Sequence, residues 1–89
     1  MQLITYYSSG ESLLKEAKRD ELLKTMYVFL LNGGNLQQSI SDLSLSMSGL
    51  MYRVSKIEKL LNKELRNPIV AYELLLMLDA LKILGDIEV

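Results

Sequence analysis

The sequence predicts an all-α fold, a small bundle of four to five helices that contains a helix-turn-helix. Three observations predict it. Apolar residues recur at steps of three and four through most of the chain, which is the spacing of one helix face. The 89 residues contain a single proline, and it follows Asn67, where a helix would start. Asparagine, serine and paired glycines fall between the periodic segments, at positions suited to caps and stops. With 49% hydrophobic residues the chain can bury a core, although so short a domain buries a smaller share of its surface than a larger one does.

Residues 12–18 read as a first short helix, with Leu13, Leu14 and Ala17 on one side. Asp20 reads as the next N-cap, with Glu21 in the first turn, where a carboxylate favours the positive end of the helix. Leu22, Leu23, Met26, Tyr27, Leu30 and Leu31 come next at helical spacing, and Asn32-Gly33-Gly34 stops the run. Asn35 caps a short helix over residues 36–43, whose apolar face is Leu36, Ile40 and Leu43. Ser44-Leu45-Ser46 reads as a tight turn, with Leu45 pointing inward and Ser46 capping the next helix.

That next helix spans residues 47–62, and Met47, Leu50, Val54, Ile57 and Leu61 form its inward stripe. Ser48, Tyr52, Ser55, Lys56 and Lys59 occupy the opposite face, with Gly49 and Arg53 on one flank. Met26, Met47, Met51 and Met77 read as core filler, with the alternative that an exposed Met51 touches a thymine methyl. Leu65-Arg66-Asn67 connects to a last helix over residues 68–84, with Asn67 as cap, Pro68 in the first turn and an end near Gly85. That helix is apolar nearly all round, interrupted only by Glu73, Asp79 and Lys82. A helix of this kind must be covered nearly all round, and so small a bundle covers one side. Tyr72, Leu75, Leu76, Leu78 and Ile83 are therefore expected to meet a partner, most simply a second copy in a homodimer. The organisation expected is a lead-in with a short helix (1–19), the helix-turn-helix domain with its apolar last helix (20–85), and a tail (86–89).

Several classes of function are disfavoured. With no Cys and no His there is no disulfide framework, no thiolate metal site and none of the commonest general base. The carboxylates are scattered over helix surfaces and caps, without a paired set for acid–base work. Gly33-Gly34 lacks the Lys-Ser/Thr and the preceding strand of a phosphate-cradling loop. No enzyme activity, catalytic residue, metal or cofactor is expected. Residues 1–10 lack the basic region and apolar run of a signal peptide, and no apolar stretch approaches the ~20 residues of a membrane span. A cytoplasmic protein without a membrane partner is expected.

Two short helices joined by a three-residue turn, the second longer and polar outward, match the helix-turn-helix plan. In that plan residues 36–43 brace and the helix 47–62 enters the major groove of double-stranded DNA. The net charge of −1 speaks against a nucleic-acid partner, but it is unevenly distributed. Residues 46–67 hold five basic and two acidic residues, a local +3, whereas residues 68–89 hold one basic and four acidic, a local −3. The basic segment lies where a reader helix needs it.

Gly33-Gly34-Asn35-Leu36, then Leu43, Leu50, Tyr52-Arg53-Val54, Ile57-Glu58, Leu60-Leu61 and the Pro68-led apolar helix together resemble the C-terminal DNA-binding domain of PucR-type transcriptional regulators. The resemblance covers roughly residues 20–84. It implies a Fis-like helix-turn-helix at the end of a longer bacterial regulator, with an upstream sensory region. Together with the apolar last helix, this makes operator binding as a dimer the expected function. It departs at the opening of the reader helix. The family commonly has His or a similar residue and then Arg-Asn-Thr, where this chain has Ser46, Met47, Ser48 and Gly49. It often has a basic residue before the Tyr-Arg pair, where this chain has Met51. Only Tyr52 and Arg53 carry over as matched candidate DNA contacts. Ser46, Ser48 and Gly49 stand at the groove-facing start of the helix, and Arg53, Lys56 and Lys59 lie where phosphates would pass. A second reading stays open: a degenerate helix-turn-helix that serves as a dimerisation or protein-interaction module without binding DNA.

Overall fold

Short-range capping chemistry sets most of the element boundaries. The computed structural model describes residues 18–87, so the short helix expected over 12–18 falls outside the described residues except for Lys18. The described residues form four helices: α1 (Arg19–Leu31), α2 (Leu36–Leu43), α3 (Met47–Leu61) and α4 (Pro68–Leu84). No strand occurs among the described residues, and the expected all-α bundle is what forms.

The start of α1 corrects the reading of Asp20 as its N-cap. The Leu22 N–H already donates to the Lys18 carbonyl at 3.1 Å, so the helical ladder begins two residues earlier. Lys18 stands at the cap position without a side-chain bond to the helix. Asp20 lies inside the first turn, its carboxylate 3.4 Å from Arg19 Nε. The end of α1 is a Schellman motif. The Gly34 N–H donates to the Phe29 carbonyl at 2.9 Å and the Gly33 N–H to the Leu30 carbonyl at 3.0 Å, satisfying carbonyls the helix leaves open. Both glycines have positive φ, +63° and +81°. At Gly34 a Cβ would make only ordinary contact, 3.4 Å from Arg66 Cγ and 3.7 Å from Phe29 Cζ, so it is the left-handed backbone that calls for glycine there.

The three later starts are made by side-chain caps, as expected. Asn35 Oδ1 accepts from the Gln38 N–H at 2.8 Å, Ser46 Oγ from the Gly49 N–H at 3.0 Å, and Asn67 Oδ1 from the Ile69 N–H at 3.0 Å. Each cap satisfies a donor the first helical turn leaves unpaired.

The core gathers on α1. Leu22, Leu23, Met26, Phe29 and Leu30 are buried against Leu50, Val54, Ile57 and Leu61 of α3, Leu65 of the connector, Leu74 and Leu78 of α4, and Ile87 beyond its end. Helix α1 packs on each of the other three helices, and α2 packs on α3. Among the described helices, α4 makes close backbone approach to α1 alone, and Ile69, Tyr72, Leu76, Ile83 and Leu84 stay exposed on it. A polar cluster ties the same two helices: the Tyr27 hydroxyl donates to Asp79 Oδ1 at 3.0 Å, and Lys82 Nζ lies 3.3 Å from that hydroxyl and 4.5 Å from the ring centroid.

Two further expectations are corrected by the packing. Met47 does not join the core stripe and is 41% exposed. As the first residue of α3 its side chain projects back past the end of the helix, where no preceding turn receives it. Met51 is likewise exposed, so among Met26, Met47, Met51 and Met77 only Met26 is fully in the core. Leu78 does not face outward. It is 0% exposed, as is Leu74 one turn earlier, and this i, i+4 pair defines the inward direction of α4.

Candidate nucleic-acid interface

The bracing helix α2 is held differently from the rest. Its apolar residues Leu36, Ile40 and Leu43 are half-buried, and its one fully buried side chain is Ser39. The Ser39 hydroxyl donates to the Asn35 carbonyl at 2.7 Å and receives Asn32 Nδ2 at 3.3 Å. Asn32 also reaches Asp42 Oδ2 at 3.1 Å, and Gln38 donates to the other Asp42 oxygen at 2.8 Å. Hydrogen bonds thus register α2 on the end of α1, with partial apolar burial beside them.

The turn after α2 is built by the backbone. Ser44 takes the left-handed conformation, φ 54°. The Leu45 N–H donates to the Ile40 carbonyl at 3.1 Å and the Ser44 N–H to the Ser41 carbonyl at 3.3 Å. Leu45 is half-buried, and Ser46 begins the next ladder by accepting the Leu50 N–H on its carbonyl at 2.9 Å. The three-residue turn therefore ends one helix and caps the next without an intervening loop. Leu50, Val54, Ile57 and Leu61 then anchor α3 on α1 along a single stripe.

The groove-side candidates sit on the free side of α3. Ser46 and Ser48 are exposed and their hydroxyls lie 3.3 Å apart. Gly49 is half-buried, and a Cβ there would come within 3.1 Å of Ser46 Oγ, so the small residue leaves the cap hydroxyl its space. Tyr52 is 67% exposed. Lys59 is exposed and Lys56 half-buried. Near the end of α3 an open depression of about 460 Å³ is lined by Ser55, Glu58, Lys59, Asn62, Lys63 and Glu64. Glu58 turns one carboxylate oxygen to the Leu65 N–H at 2.9 Å, which fixes the connector.

Arg53 departs from the group. It turns toward α1, where Nη1 donates to Thr25 Oγ1 at 3.2 Å and Nη2 lies 3.8 Å from Glu21 Oε2. Neither Thr25 nor Glu21 belongs to the site expected from the sequence. A signal for Thr25 exists: it lies on the apolar steps Leu22, Thr25, Phe29, a polar residue on a buried face. Leu65 and Ile87, read as connector and tail, are core residues; each lies outside a helix, where periodicity gives no direction.

On α4, Tyr72, Leu76 and Ile83 are exposed as expected of a partner face, and Ile69 and Leu84 join them. Leu75 is half-buried on the flank. Among the described residues no group of three or more acidic side chains could hold a metal ion, and no helix is long and apolar enough to cross a membrane.

A short bracing helix, a capped three-residue turn and a longer helix with a polar free side make this a helix-turn-helix domain. The family model of the PucR C-terminal helix-turn-helix domain matches residues 22–80, and the chain belongs to that family. Membership suggests a DNA-binding domain of a transcription regulator. The chain matches no curated protein and no solved structure.

Proposed function

We propose that this domain binds operator DNA for a bacterial transcription regulator, as a homodimer, with the first turns of α3 in the major groove. The observation that carries the reading is the capped α2–turn–α3 unit within the matched family span. It leaves Ser46, Ser48 and Tyr52 exposed on the side of α3 away from the core. In this reading Ser48, Gly49 and Tyr52 face the groove, and Lys56 and Lys59 face phosphates. The outward residues of α4 join the two copies. A sensory region upstream and a cytoplasmic setting complete the proposal.

The test is fluorescence anisotropy of the chain with duplex DNA across a range of salt. Affinity is expected to fall steeply as salt rises, and Lys59→Ala to flatten the log–log slope by about 0.9, the release of one condensed counterion. Salt-insensitive binding, or none, would sink the reading. A second reading has its own support. Met47 and Met51 are exposed at the opening of α3, where groove readers place long polar side chains. A domain that dimerises and binds no duplex would be an interaction module.

A further inference from the structure

The Arg53 guanidinium is the end of a directed chain of bonds that runs into α1. Its side chain is only 28% exposed. Thr25, which accepts from Nη1, is fully buried, and its own hydroxyl donates to the Glu21 carbonyl at 2.8 Å. The inventory of protons sets the directions. A guanidinium has only donors, and a hydroxyl has one proton. That proton goes to the carbonyl, so a lone pair of Oγ1 faces Arg53. The Glu21 carboxylate, 3.8 Å from Nη2, takes the outer side of the fork. A phosphate approaching Arg53 would meet a carboxylate beside its target.

We propose that Arg53 is a positioning residue: it sets the orientation of α3 on α1, and so the presentation of Ser48, Gly49 and Tyr52, and it does not itself neutralise a phosphate. The proposal rests on the DNA-binding reading above. Reading base edges requires a helix held within roughly 0.5 Å and 10–20° of its productive pose. The apolar stripe of α3 packs the helix against α1, and a directional bond adds an orientational constraint that the non-directional apolar driving force does not itself carry. A planar fork fixed to a buried hydroxyl supplies the direction. Lysine cannot replace it, because a single ammonium on a flexible stem lacks the fork.

The experiment uses the whole chain and two duplexes of equal length. One is selected by the wild-type chain from a random-sequence pool, and the other is its scramble. Arg53→Ala is expected to reduce the preference for the selected duplex by about tenfold, within the range one base contact supplies, with the salt slope unchanged. Thr25→Val, which is sealed from DNA, is expected to do the same, and the double variant to lose no more than either. Glu21→Gln is expected to bring no gain in affinity, whereas a phosphate ligand released from its carboxylate would bind more tightly. Arg53→Lys keeps the charge without the fork and carries the test if Arg53→Ala does not fold. It is expected to lose the preference and keep the slope.

The proposal is overturned if Arg53→Ala lowers the slope by about 0.9 while Thr25→Val is silent, or if Arg53→Lys behaves as wild type. A merely structural role would lower the folded fraction in all these variants and leave the preference of the folded molecules intact, which also overturns it. Absence of salt-sensitive binding by the wild-type chain ends the DNA-binding reading and the proposal with it. A loss of slope in Arg53→Ala ends the proposal alone.

Discussion

Leu78→Ala is expected to cost about 2–5 kcal/mol, the range for deleting most of a fully buried leucine and leaving a cavity. Leu78 is 0% exposed within the buried cluster that gathers on α1, so its truncation opens a hole inside the core rather than at its edge. At roughly 0.05–0.15 kcal/mol per residue a domain of this size holds only about 4–13 kcal/mol in all, and the substitution leaves a large unfolded fraction at the lower end of that range. Leu31→Ala provides the contrast. That leucine is 59% exposed on the last turn of α1, and its loss should stay within about 0.5 kcal/mol. Urea unfolding tracked by circular dichroism separates the two. Equal midpoints would show that Leu78 lies outside the core.

The second large effect concerns the outward side of the same helix. Ile69, Tyr72, Leu76, Ile83 and Leu84 are all exposed, on a helix with few charges to keep copies apart. Placing glutamate at both Leu76 and Ile83 is expected to separate the proposed dimer while leaving each copy folded, because neither side chain supports the core. Sedimentation should shift from dimer to monomer. Affinity for a two-fold operator should then fall by about 10²–10⁴, the gain that linking two weak sites normally provides. A double variant that stays dimeric would place the interface elsewhere, and a wild-type chain that sediments as a monomer would remove it.

Much of this architecture is legible in the residues because its determinants are local. Asn35, Ser46 and Asn67 each cap a helix by bonding an N–H two or three positions ahead, and the sequence shows both partners at once. The start of α1 is hard to read for the converse reason. Lys18 caps nothing with its side chain, while the acidic pair that starts two residues later resembles a cap and only occupies the first turn. In α4 the difficulty is one of phase. When nearly every position is apolar, no polar face shows which leucines point inward, and Leu74 and Leu78 are distinguished from Leu75 and Leu76 only by where α1 lies.

The site divides along the same line. Its turn and its exposed serines and tyrosine are set by short-range pattern. The sequence places Arg53 on the flank of the helix but does not show its direction. Its two partners, Glu21 and Thr25, lie on α1, with Thr25 28 residues away in the chain, and a basic side chain near a groove reads as a phosphate ligand until a buried hydroxyl is found beside it.

The polar anchoring of α2 has a dynamic consequence. A helix whose only fully sealed side chain is Ser39 gains little apolar stabilisation, so it can open while α1, α3 and α4 stay assembled. Such an opening is a sub-global event with a free energy below that of complete unfolding. Amides of α2 are therefore expected to exchange with deuterium well before those beside Leu50, Val54 and Ile57, which are released only when the core comes apart. Mass spectrometry resolved by peptide would show it, and uniform protection across α2 and α3 would contradict it. The recognition unit then pairs a firm reader with a labile brace. If DNA clamps both, the slowing of exchange should be greatest in α2, and part of the binding free energy will have gone into quieting the brace rather than into contacts made by the reader.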